Sequence, residues 1–152
     1  MNKLGVHALV WVGGWSHEEC EIAISKSAKL GYDYIEIPAL DPSSVDTKYT
    51  LKQLEKYKIG ATVSLGLPIH SDISSEDPNI VSKGEAMLSE ALQLSSEIGA
   101  THMCGILYSG FTKYMKPKTE KGMQNAAEVL YRIGEKAKKQ NIQIGLEVVN
   151  RY

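Results

Sequence analysis

Two glutamates interrupt runs that are otherwise apolar or aromatic: Glu147 in Gly145-Leu146-Glu147-Val148-Val149 and Glu36 in Tyr34-Ile35-Glu36-Ile37. A carboxylate inside an apolar strand is costly unless something compensates its charge. For Glu147 the residues leave two readings open. One is metal binding or catalysis; the other is a buried carboxylate satisfied by backbone amides or a neighbouring Lys or Arg. Glu36 divides in the same way, between a carboxylate supporting a site and a structural ion pair. Of the four histidines, His7 stands near the end of a first strand, where it could face a site or make a local hydrogen bond. His102 begins a later strand at the opposite end. His17 and His70 show no ligand spacing with another His, Cys or carboxylate. Three aromatics follow strand ends, Trp11 and Trp15 after the first and Phe111 after the fourth. Rings in such places stack on sugars or pack loops. No CxxC, HExxH or G-x-S-x-G motif occurs.

Positioning these residues requires alternating strands and helices. Strands are predicted over Leu4–Trp11, Tyr32–Ile37, Thr62–Leu67, Thr101–Tyr108 and Gln143–Asn150. Between them, Ser16 with Glu19 has capping-box spacing, and about 46–58 reads as a second helix. Asp77-Pro78 opens a third helix, because proline costs nothing at the first helical position. Its apolar stripe passes through Gly84, the expected place of close approach to a strand. Thr119 opens a fourth, with Met123, Ala126, Ala127, Leu130, Ile133 and Ala137 along its buried face. Ile-Gly-Ala-Thr recurs at 59–62 and 98–101, so one strand plus one helix forms a repeating unit. Right-handed crossovers then set each strand beside the last, which doubly wound sheets and barrels both fit. Active sites in such folds lie at the C-terminal strand ends. The turn after the first strand lacks G-x-G-x-x-G spacing, which argues against a dinucleotide fold.

At 152 residues the chain supports one domain, 1–152, with a real core. Seventeen basic against 18 acidic residues leave no electrostatic footprint for nucleic acid or an anionic membrane. Cys20 and Cys104 read as reduced thiols, which fits a cytoplasmic protein. No signal sequence or membrane span is visible. Five parallel strands with no helix after the last leave two apolar edges. The chain therefore reads as a fragment or as a half-barrel that pairs, and a homo-oligomer is expected.

These residues resemble the ketose 3-epimerases (the D-tagatose, D-psicose or allulose, and L-ribulose 3-epimerases) among the xylose-isomerase-like barrels. Leu146-Glu147-Val148-Val149-Asn150-Arg151 is similar to the family's fifth-strand motif. Met1-Asn2-Lys3 with the Gly5 strand, Trp11 and Trp15, Gly31-Tyr32-Asp33 with Ile35-Glu36-Ile37, Gly66-Leu67 and Gly99-Ala100 follow in family order. The resemblance implies the N-terminal portion of a parallel (β/α) TIM barrel, with five strands and four helices.

It also implies a metal-dependent carbohydrate 3-epimerase acting on a small ketose through an enediolate. Glu147 would be both a ligand of a divalent ion (manganese, with magnesium or cobalt as alternatives) and an acid/base carboxylate. The remaining Asp, His and Glu ligands belong to later strands, so the 152-residue chain alone is expected to be inactive. Substrate-binding positions would be His7, Trp11, Trp15, Ser64, Cys104 and Phe111. His7 stands where the family commonly has tyrosine and Phe111 where it has tryptophan. Other isomerases or dehydratases of the same barrels, and a non-catalytic half-barrel, are the alternative readings. A DNA-repair endonuclease is disfavoured by the lack of basic charge and of clustered metal-ligand histidines.

Overall fold

A computed structural model describes residues 2–114 and 117–149. The order is β1 (Gly5–His7), α1 (His17–Lys29), β2 (Tyr34–Pro38), α2 (Thr47–Tyr57), β3 (Gly60–Leu67), α3 (Pro78–Glu97), β4 (His102–Gly110), α4 (Glu120–Lys139) and β5 (Gln143–Leu146). Short 3-10 turns occupy Ala8–Val10, Pro42–Ser44 and Ile69–Ser71.

Each long helix starts on a side chain that satisfies a free amide. Ser16 and Glu19 form a full capping box on α1. Asp46 accepts the Tyr49 amide at 2.9 Å, Asp77 that of Asn79 at 2.8 Å, and Thr119 that of Gly122 at 3.1 Å. All strands are parallel and lie in the order β1-β2-β3-β4-β5. Alternation along them separates two faces. Ile35, Ile37, Ala61, Val63, Leu65, Leu67 and Met103 are buried in one core with Ile24, Leu54, Leu88, Leu92 and Ile133 of the helices. Tyr34, Glu36, Thr62, Ser64, His102 and Cys104, on the other face, are half-exposed. The helices thus cover one face, and the second is a polar inner face.

Several boundaries differ from expectation. The first strand stops at His7, because the His7 ring accepts the Leu9 amide at 3.1 Å and starts a 3-10 turn there. β4 runs on to Gly110 through a register shift against β3. The shift lies between Ile106 and Gly110; ahead of it Gly105, still in register with Leu65, takes φ +123°, and a Cβ there would overlap the Leu65 carbonyl. β5 ends at Leu146, so Glu147 follows the strand and is exposed, and the predicted burial cost does not apply to it. Asn150, at the predicted end, lies outside the described residues. Gly84 meets the Ser71 carbonyl in the loop after β3, not a strand. On α4 the buried face runs through Gly122, Ala126, Val129, Ile133 and Ala137, leaving Met123 and Ala127 exposed. The repeated Ile-Gly-Ala-Thr adopts two backbones. Left-handed φ falls at Lys58 before the first copy and at Gly99 within the second.

Candidate functional site

His7, Glu36 and Ser64 meet on the inner face. Pairing puts His7 beside Glu36 and Ser64 beside Cys104. His7 Nε2 lies 3.2 Å from Ser64 Oγ and 3.5 Å from Glu36 Oε1. Its Nδ1 accepts a backbone amide, so the ring carries its proton on Nε2, pointing at these two oxygens. Cys104 continues the row, and Gly145 of β5 pairs with it. Burial pushes the Cys104 thiol up, and the charges of Glu36 and Glu147 push the same way against the Gly145 amide. Cys104 therefore feels both carboxylates, one on either side of it along the sheet.

Glu147 is fixed through its backbone, its amide donating to the Gly105 carbonyl at 2.9 Å. That hydrogen bond carries the β4–β5 ladder one step past the strand and leaves the carboxylate at the C-terminal mouth. Phe111 follows β4, and its ring packs on Gly66, where an added Cβ would come within 3.1 Å of Phe111 Cβ. It is 67% exposed, so one side of the ring remains free at the mouth.

The two tryptophans are anchored through their indole nitrogens. The Trp11 indole N–H donates to Ser27 of α1 at 3.0 Å, with Lys26 5.8 Å from the ring centre. The Trp15 N–H donates to Thr50 of α2 at 3.0 Å. Both indole nitrogens are thus engaged by helices, and Trp15 ties the loop after β1 to α2. His17 also belongs to that joint, stacked on Tyr49 and 3.0 Å from Asp46.

Below the mouth, a hollow of about 460 Å³ is lined by Lys3, His7, Tyr34, Glu36, Thr62 and His102. His102, set aside in the sequence for its position at the start of a strand, shares this hollow with His7. Strand alternation alone puts Thr62 and Tyr34 on this face, a signal legible in the sequence.

A hard divalent cation would suit the carboxylate oxygens in kind. Among the described residues no three His, Cys, Asp or Glu side chains converge to hold one, so the ligand number falls short. No helix among them is long and apolar enough to cross a membrane.

Residues 24–152 match the family described as xylose isomerase-like TIM barrel. The chain is 39% identical over 150 residues to a ketose 3-epimerase of Arthrobacter globiformis, covering 99% of this chain and 52% of that protein. It is 40% identical over 150 residues to an L-ribulose 3-epimerase of Methylomonas sp. (strain DH-1), with the same coverages of 99% and 52%. The crystal structure of a D-allulose 3-epimerase from Methylomonas sp. in complex with D-allulose superimposes with TM-score 0.97 at 40% identity, over 99% of this chain and 52% of that one. The chain thus spans about half the length of the curated relatives it matches, and its sheet and helices match the N-terminal half of a TIM barrel.

Proposed function

The chain belongs to the xylose isomerase-like TIM barrel family, and from this we propose that it forms the N-terminal, substrate-facing half of a metal-dependent ketose 3-epimerase site. One observation carries the reading. Glu147, Cys104, Ser64 and His7 fall on one face and its mouth, in a chain 39–40% identical to proteins named ketose and L-ribulose 3-epimerases.

Glu147, held at the mouth by its backbone and open to solvent, moves the C3 proton of the ketose. His7 Nε2–H and Ser64 Oγ offer a donor and a donor/acceptor to sugar hydroxyls. The free side of Phe111 takes the apolar face of the sugar. A divalent metal, with manganese first and magnesium or cobalt as alternatives, would polarise the ketose carbonyl when bound. Glu147 is the residue offered to it here. One carboxylate is far from the complete ligand sets behind tight metal sites, so the 152-residue protein alone should hold metal weakly and turn over no ketose.

The test is a chimera in which this chain replaces the matching 150 residues of the Methylomonas L-ribulose 3-epimerase, assayed for C3 proton exchange by NMR in D2O with manganese present. Exchange is expected, and Glu147→Gln should remove it while leaving circular dichroism unchanged. A folded chimera with no exchange, or exchange that survives Glu147→Gln, would overturn the reading. Turnover by the 152-residue protein alone would overturn its expected inactivity and require ligands from another subunit.

A further inference from the structure

The loops after β3 and β4 meet at one buried carboxylate. Asp72 is 3% exposed and lies between β3 and α3. Its Oδ1 accepts the Ser74 amide at 2.8 Å and the Ser74 hydroxyl at 2.7 Å, and its Oδ2 accepts the Tyr114 phenol. The same phenol oxygen accepts the Gly110 amide at 2.9 Å. Gly110 ends β4 and directly precedes Phe111, whose own amide donates to the Leu67 carbonyl. The loop that carries Asp72 is fixed in turn. Gly84 of α3 packs against the Ser71 carbonyl, Gly122 of α4 against the Ser74 carbonyl, and Asn125 Nδ2 donates to the Ser75 carbonyl at 2.8 Å.

We propose that Asp72 and Tyr114 are positioning residues, which hold the Phe111 ring over Gly66 and so set the aromatic wall beside the sugar. Only the identity of that ligand rests on the epimerase reading; the hold on Phe111 does not. The chemistry is specific to this pair. A carboxylate offers only acceptors, so Tyr114 must donate its proton to Asp72, which leaves the phenol oxygen free to accept from Gly110. Asp72→Asn keeps the shape, yet with its oxygen retained by Ser74 it turns an amide donor toward a phenol that had been donating to a carboxylate. Burial and the Asp72 hydrogen bond both push the Tyr114 phenol up, consistent with its role as donor.

Phe111 is the only phenylalanine in the chain, so 4-fluorophenylalanine labelling yields a single 19F reporter at this ring. In Asp72→Asn and in Tyr114→Leu (which adds no second phenylalanine) the resonance should move toward the free amino acid value. The helical circular dichroism should persist. Gly66→Ala, which crowds the ring from below, should move the resonance with the pair intact and so calibrates the reporter. In the unsubstituted protein the Gly110 amide should exchange at least about tenfold more slowly than an open-loop amide, as one hydrogen bond of ordinary strength allows. A resonance unmoved by both substitutions overturns the proposal, and so does a Gly110 amide that exchanges like an open loop in the unsubstituted protein. Sugar contact is read separately in the chimera with the Methylomonas enzyme, where Phe111→Ala should raise the KM for the ketose. A resonance that answers to the substitutions beside an unchanged KM supports the positioning and removes sugar contact from Phe111.

Discussion

His7 and Ser64, 57 residues apart in the chain, face each other at 3.2 Å across the strand that carries Glu36. The Leu9 amide on Nδ1 makes this possible, because it fixes which nitrogen carries the proton. His7→Phe should remove both the cap and the contact, lowering stability by about 1 kcal/mol in urea denaturation. His7→Asn should keep the cap through its own side-chain oxygen and recover that stability without reaching Ser64. Equal losses in the two variants would show that the cap is not what His7 contributes.

Gly105 and Gly134 should respond to alanine with opposite signs. At φ +123°, with a Cβ overlapping the Leu65 carbonyl, Gly105→Ala should cost on the order of 3 kcal/mol. Gly134 lies within α4 with nothing in reach of a Cβ, so Gly134→Ala should stabilise by roughly 0.5–1 kcal/mol. Thermal melting of the two variants decides both signs.

Burial pushes the Cys20 thiol up to about 11, with Glu21 and Asp46 adding their charges and the Thr50 hydroxyl pulling back. A thiol raised in the folded state contributes stability that is whole below the unfolded value of about 8.5. That contribution is lost as pH rises through about 11. The melting temperature should therefore fall over that window, and less steeply in Cys20→Ala. Iodoacetamide at pH 8 should modify half-exposed Cys104 ahead of buried Cys20. Equal labelling rates in the native protein would contradict this.

Arg132 grips both oxygens of Glu85, at 2.8 and 2.6 Å, and joins α4 to α3. The guanidinium holds the Glu85 carboxyl below its ordinary value. A lowered carboxyl contributes stability above the unfolded value of about 4.3, lost as pH falls through the folded one. The pair is partly exposed, so Glu85→Gln should cost only about 0.5–1 kcal/mol at neutral pH, and less at 1 M salt. An unchanged acid limb of the pH–stability curve in Glu85→Gln would refute the assignment.

What the sequence discloses here is mostly what neighbouring residues decide. Ser16 with Glu19, Asp77 before Pro78, and Thr119 act on amides two or three residues away, and three of the four helix starts can be read from them. The strand order follows the chain order, as the repeated strand-plus-helix unit leads one to expect. The early end of β1 was hidden because one imidazole takes the Leu9 amide, and nothing in an apolar run marks that choice. The buried face of α4 was misplaced because Gly122 and Val129, rather than Met123 and Ala127, meet the loop and the sheet. Asp72 and Tyr114 were missed altogether. They lie 42 residues apart in two loops, and a single hydrogen bond between loops leaves no periodic trace.

Each strand after β1 pairs with the one made just before it, which bears on how the chain is synthesised. At roughly 5–20 residues per second on the ribosome, each new βα unit emerges beside a partner that is already exposed and waiting. From β2 to β5 each strand finds its partner already made, and the loops to be closed stay short, which favours fast pairing. The sheet can therefore grow outward from β1 while translation continues, with each crossover helix covering its apolar face as it leaves the exit tunnel.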